Sequence, residues 1–187
     1  MSSIPNGERT RLWELCHECA STVFPGGPPT GKYITAVGKM LYGIGAVESG
    51  LVWERQRTPK WEGQVGAVSK WQMEMASIRN SLNALRKTPM LNARALRFVY
   101  QDPNAPTDTI FTKTAEYWFD VMRIGDNDRP GVMFCRLHLL RCPGAIPDSL
   151  EGQADYWKQH YNTIAGKGRP EDFISAYNRL KPDYARD

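Results

Sequence analysis

No run of apolar residues in this chain approaches the roughly 18 that a helix needs to cross a bilayer. The N-terminus, Met1-Ser2-Ser3-Ile4-Pro5-Asn6-Gly7-Glu8, lacks the basic-then-apolar layout of a secretory leader. We therefore expect a protein made as a soluble intracellular chain, with no stable membrane insertion. If it works outside the cytoplasm, something else delivers it. Lysine and arginine form no run either; they are spread from Arg9 to Arg186, and a net charge of +4 is too mild to name an anionic partner. No nucleic-acid partner is expected. Internal repeats and low-complexity segments are absent, and alternating strand patterns are scarce.

Cysteine is sparse, with four in 187 residues. Cys16 and Cys19 form one C-x-x-C pair, and Cys135, His138 and Cys142 form a second cluster, so two arrangements stand side by side. The clusters could meet around zinc, which takes four S or N ligands. Alternatively, Cys16 and Cys19 lie on the apolar face of a helix with Leu12, Leu15 and Val23, and act as buried thiols. The second cluster has no standard ligand spacing, which favours the thiols. No metal or other cofactor is expected.

What is present is apolar and aromatic: 41% hydrophobic residues and six Trp, enough for a packed core rather than a disordered chain. The length suits one domain with a modest appendage. We divide it into residues 1–30, an N-terminal helix with a Pro/Gly linker, and residues 31–187, the main domain, joined as one compact unit.

The pattern reads as mainly helical. A first helix is expected from about Arg9 to Val23, ended by Pro25-Gly26-Gly27-Pro28-Pro29. Val52 to Val65 reads as a loop or short hairpin, the single β element. Trp71, Met75, Ile78, Leu82 and Leu85 are spaced as a third helix. Pro103 and Pro106 mark a turn, and helices follow near 111–123, 130–141, 149–162 and 170–180. Pro130 and Pro170 fall where first helical turns would begin, and Asp148 with Glu151 resembles a capping box.

The second helix carries the most informative residue. Ile34, Val37, Leu41 and Ile44 mark its apolar stripe, and Glu48 continues that stripe two residues before Gly50, a natural helix stop. A carboxylate placed there meets desolvation and the negative end of the helix dipole, and both favour the protonated acid. Such an acid suits glycosidic cleavage. A salt bridge to Arg55 or Arg57 is the competing reading, and the stripe alone does not separate the two.

Downstream, Gly66-Ala67-Val68-Ser69-Lys70-Trp71-Gln72-Met73-Glu74-Met75-Ala76-Ser77 follows Glu48-Ser49-Gly50. Together they resemble the two leading motifs of the soluble lytic transglycosylase and goose-type lysozyme superfamily. Gly66, Ala67 and Gln72 match; Trp71 stands for Met and Ser77 for Thr; Ser69 for Gly, Lys70 for Leu and Met75 for Pro depart. An insertion also separates the motifs. A tailed-phage branch is more similar still, through Arg55-Gln56, Trp71-Gln72-Met73-Glu74, the Cys135–Pro143 helix end, and Tyr156-Trp157-Lys158 running on to Gly166-Lys167-Gly168. The resemblance covers roughly residues 35–180. It implies an α+β lysozyme-like fold, a helical bundle around a catalytic cleft, acting on peptidoglycan glycan strands as part of a phage virion beside other virion or tail proteins.

The resemblance makes Glu48 the general acid. In lytic transglycosylases the same residue then acts as base, and no second carboxylate is needed; a hydrolase needs one, and Glu74 is the candidate. Glu74 could equally be a helix-start charge. Gln72 would bind a sugar acetamido group or orient Glu48, or be an exposed polar residue. Trp71 would stack on a sugar or pack in the core. Arg55, Gln56 and His138 are further candidate substrate contacts. Ser49 is expected to support the helix end, with no His or Asp spaced to make it a nucleophile. Ala176-Tyr177-Asn178 matches the letters of a third superfamily motif, but its amphipathic surroundings favour packing. Tyr161-Asn162 is likewise read as packing.

Overall fold

A computed structural model describes residues 4–52, 66–102, 113–124, 127–162 and 166–186. Among them are eight α-helices: α1 (Asn6–Thr22), α2 (Gly31–Ser49), α3 (Met75–Arg86), α4 (Pro89–Tyr100), α5 (Ala115–Ile124), α6 (Arg129–Leu139), α7 (Leu150–Trp157) and α8 (Pro170–Leu180). A single π-helical turn, Lys158–Asn162, continues α7. The chain is mainly α. No strand occurs among the described residues, where pairing is limited to an isolated antiparallel bridge between Val68 and Met73. The hairpin expected before Val65 lies outside them.

Two helices are interior. In α2 nearly every residue from Ala36 to Ala46 is buried, so the helix is covered all round rather than on one face. The Thr30 hydroxyl accepts the Tyr33 N–H at 3.2 Å to start it, and Gly50, at φ 66°, ends it. In α6 every residue from Pro130 to Leu137 is buried. The α1 and α8 helices pack on α2, whereas α1, α3, α4 and α5 surround α6. Each fully buried Leu or Ile on these faces, such as Leu41 and Ile44, contributes about 1.5–3 kcal/mol. Leu12, Leu15 and Cys16 of α1 belong to the same continuous core as α2 and α6.

Four local expectations change. The third helix begins at Met75, and Trp71 lies in a turn, because Ser69 (φ 66°) and Gln72 (φ 50°) are left-handed and the Val68–Met73 bridge closes around them. Residues 87–100, left unassigned above, form α4, with Pro89 in its first turn. The cap of α7 is Ser149, which accepts the Gly152 N–H at 3.1 Å; Asp148 instead pairs with Lys32 at 2.7 Å. The helix expected over 149–162 is α-helical only to Trp157. Among the described residues no helix is long and apolar enough to cross a membrane.

Candidate active site

Glu48 occupies the last turn of α2, and its Oε1 accepts the indole N–H of Trp157 at 2.9 Å. Burial pushes its carboxyl above the ordinary glutamate value; the Trp157 hydrogen bond opposes the rise, and the negative charge of Glu74 adds to it. Among the described residues no basic group pairs with Glu48. Arg55 and Arg57, the proposed ion-pair partners, lie outside the described residues, as does the candidate contact Gln56.

Glu74 is exposed and immediately precedes α3. It makes no side-chain capping bond to that helix, and its position at the N-cap keeps the helix-start reading of its charge. Its negative charge raises the proton affinity of Glu48, His138 and Tyr161, as a lesser cause in each case.

His138 is held at both ring nitrogens. Nε2 lies 3.2 Å from the His160 carbonyl, an acceptor only, so it carries the hydrogen; Nδ1, 2.9 Å from Ser77 Oγ, then accepts the hydroxyl proton. Burial lowers its proton affinity, which agrees with that neutral tautomer. The ring meets Tyr161 edge-on, with centroids 5.1 Å apart.

Ser49 supports the helix end as expected, and of the two readings of Trp71 the structure shows core packing. The Ser49 hydroxyl donates to the Gly45 carbonyl at 3.1 Å and accepts the Leu51 N–H at 3.1 Å. Its one donor is engaged by the backbone, and the residue is buried. Trp71 is fully buried, and its indole N–H donates to the Leu41 carbonyl at 2.8 Å. A ring with no exposed face cannot stack on a sugar. Gln72 is half-buried, and its amide N donates to the Ser69 carbonyl at 2.9 Å, which stabilises the turn.

Two site residues were missed or discounted. Trp157 was quoted only as part of a motif, and Tyr161 was read as packing. The Tyr161 hydroxyl donates to the Trp71 carbonyl and lies 3.2 Å from Met73 Sδ. It thus ties the π-helical turn to the chain just ahead of Glu74. Such turns are frequent at functional sites. Tyr177 packs against Trp13 and Tyr42, in keeping with its structural reading.

The cysteines sit elsewhere in the balance of the fold. Cys16, Cys19 and Cys135 are fully buried, and desolvation pushes each thiol up. The Cys142 thiol donates to the His138 carbonyl at 3.5 Å. Among the described residues no group of three or more His, Cys, Asp or Glu is arranged to hold a metal.

A second buried carboxylate, Asp128, precedes α6. Lys70 Nζ lies 2.8 Å from its Oδ1, Arg11 bonds its Oδ2, and Arg11 also pairs with Glu8 at 2.7 Å. Lys70, one of the departures from the superfamily pattern, is therefore a buried ion-pair residue that joins the 68–73 turn to α6. Comparisons with protein-family models, with curated proteins and with solved structures gave no match.

Proposed function

We propose that the chain cleaves the β-1,4 bond between N-acetylmuramic acid and N-acetylglucosamine in peptidoglycan, with Glu48 as general acid, on an α+β lysozyme-like fold whose short β element lies between Val52 and Val65. The observation that carries this reading is the Glu48 carboxyl: buried, raised in proton affinity, bonded by a neutral N–H and neighboured by a second acid. A group so placed keeps its proton to higher pH than an ordinary glutamate and can deliver it to a bridging oxygen. Glu74 is the second carboxylate in a hydrolytic outcome; Glu48 alone suffices for a transglycosylase outcome.

Two departures from the superfamily pattern support the alignment behind this reading. Ser69 stands where the superfamily has Gly, at a left-handed φ of 66° that favours glycine. Met75 stands where it has Pro, as the first residue of α3, the position proline suits best. Placement in a tailed-phage virion, with peptidoglycan and neighbouring virion or tail proteins as partners, rests on the resemblance alone.

Digestion of purified sacculi tests the proposal. Anhydromuropeptides identified by mass indicate a transglycosylase, and reducing ends a muramidase. Glu48→Gln should lower release by about 10²–10⁴-fold, the usual contribution of a general acid. No release by the native protein favours the other reading, a virion component that keeps the fold without the activity. Release unchanged in Glu48→Gln removes Glu48 from the chemistry.

A further inference from the structure

Trp157 is the last residue of α7, and its ring is buried to 1% exposure. One edge packs on Phe173 of α8, with centroids 5.8 Å apart. Another passes over Gly168, where a Cβ would come within 2.5 Å of the ring, so only glycine leaves it room. The single polar atom of this ring points at Glu48 Oε1 across 109 residues of sequence. Of the other groups facing Glu48 from described elements, Glu74 is an acceptor, the Tyr161 hydroxyl is engaged with the Trp71 carbonyl, and Cys135 offers only a thiol. None substitutes for a fixed N–H.

We propose that Trp157 is the positioning residue of Glu48, binding Oε1 so that the transferable proton of the acid form sits on Oε2. This rests on the assignment of Glu48 as the general acid. The carbonyl-type oxygen of a protonated carboxyl is its better acceptor, so an N–H fixed on Oε1 leaves Oε2 to carry the hydrogen. The carboxyl is thereby kept from rotating its proton toward the core. The same bond favours the charged form, and it tempers the rise that burial and Glu74 cause.

Trp157→Phe keeps a ring and removes the donor. We expect kcat on sacculus fragments to fall about tenfold with KM unchanged, as the loss of one hydrogen bond to a charged group implies. The alkaline limb of the pH–rate profile should move up, and so should the midpoint of the Glu48 carboxyl titration followed by carbon-13 NMR. Gly168→Ala displaces the ring and leaves its N–H intact, so the same shifts should appear in smaller size; it decides the matter if Trp157→Phe does not fold. A lower melting temperature with titration and pH profile both unmoved would overturn the proposal and leave Trp157 a packing residue. If the native protein cuts no sacculi, the titration alone decides. A moved midpoint then keeps the Trp157–Glu48 link while the glycosidase reading fails.

Discussion

Asp128 and Glu48 are both carboxylates removed from water, and the protein treats them in opposite ways. Asp128 lies between the Lys70 ammonium and the Arg11 guanidinium, and Glu8 extends the pairing outward. Glu48 receives one neutral N–H and has another acid for a neighbour. A buried charge that is fully paired holds structure together, and breaking the pair strands the partner. Among the described residues no cation meets Glu48, and desolvation there favours the neutral acid. The first site locks the 68–73 turn against α6 and α1. The second, in the last turn of α2, is the one we propose exchanges a proton.

Removing each carboxylate should separate the two sites most sharply. Asp128→Ala removes the buried carboxylate that Lys70 and Arg11 both bind, and we expect a loss of about 3–5 kcal/mol in urea unfolding at neutral pH. A loss under about 1 kcal/mol would show that the cluster behaves like a surface pair and would blur the comparison.

Glu48→Gln should shift stability the other way, and by less. In the folded chain the Glu48 carboxyl binds its proton more tightly than in the unfolded chain. The native state is therefore favoured below the unfolded value, and this advantage is lost as pH rises through the folded one. The amide has no such loss. Its gain over the native protein should be near zero at about pH 4 and grow toward neutral pH, to about 0.5–2 kcal/mol. Thermal melts across that range read the trend, and a gain that shrinks with rising pH would place a stabilising cation beside Glu48.

Much of the Glu48 site could be read locally. The apolar stripe from Ile34 to Ile44 and the Gly50 stop locate the carboxyl at a buried helix end, because period and cap are properties of neighbouring residues. Trp157 could not be read that way. Its pairing with Glu48 depends on how α7 folds back on α2, and no local spacing encodes that contact. Trp71 misled for a related reason: it falls on the 71-75-78 spacing by position, yet Ser69 and Gln72 break the helix without a glycine to announce it. The α4 helix was legible in principle, since Leu91, Ala95, Phe98 and Val99 keep helical spacing after Pro89. Burial of Lys70 was not legible, because its partner Asp128 stands at the start of a distant helix, where Arg11 of a third element also binds it.

The most direct test of the contrast is a carbon-13 NMR titration of the side-chain carboxyls, with the Glu48 signal assigned by its absence in Glu48→Gln. A Glu48 midpoint clearly above the ordinary glutamate value is the expected result, the mark of a buried acid without a counter-charge. A midpoint at or below that value would contradict the account, because Glu48 would then not be a desolvated acid lacking a counter-charge.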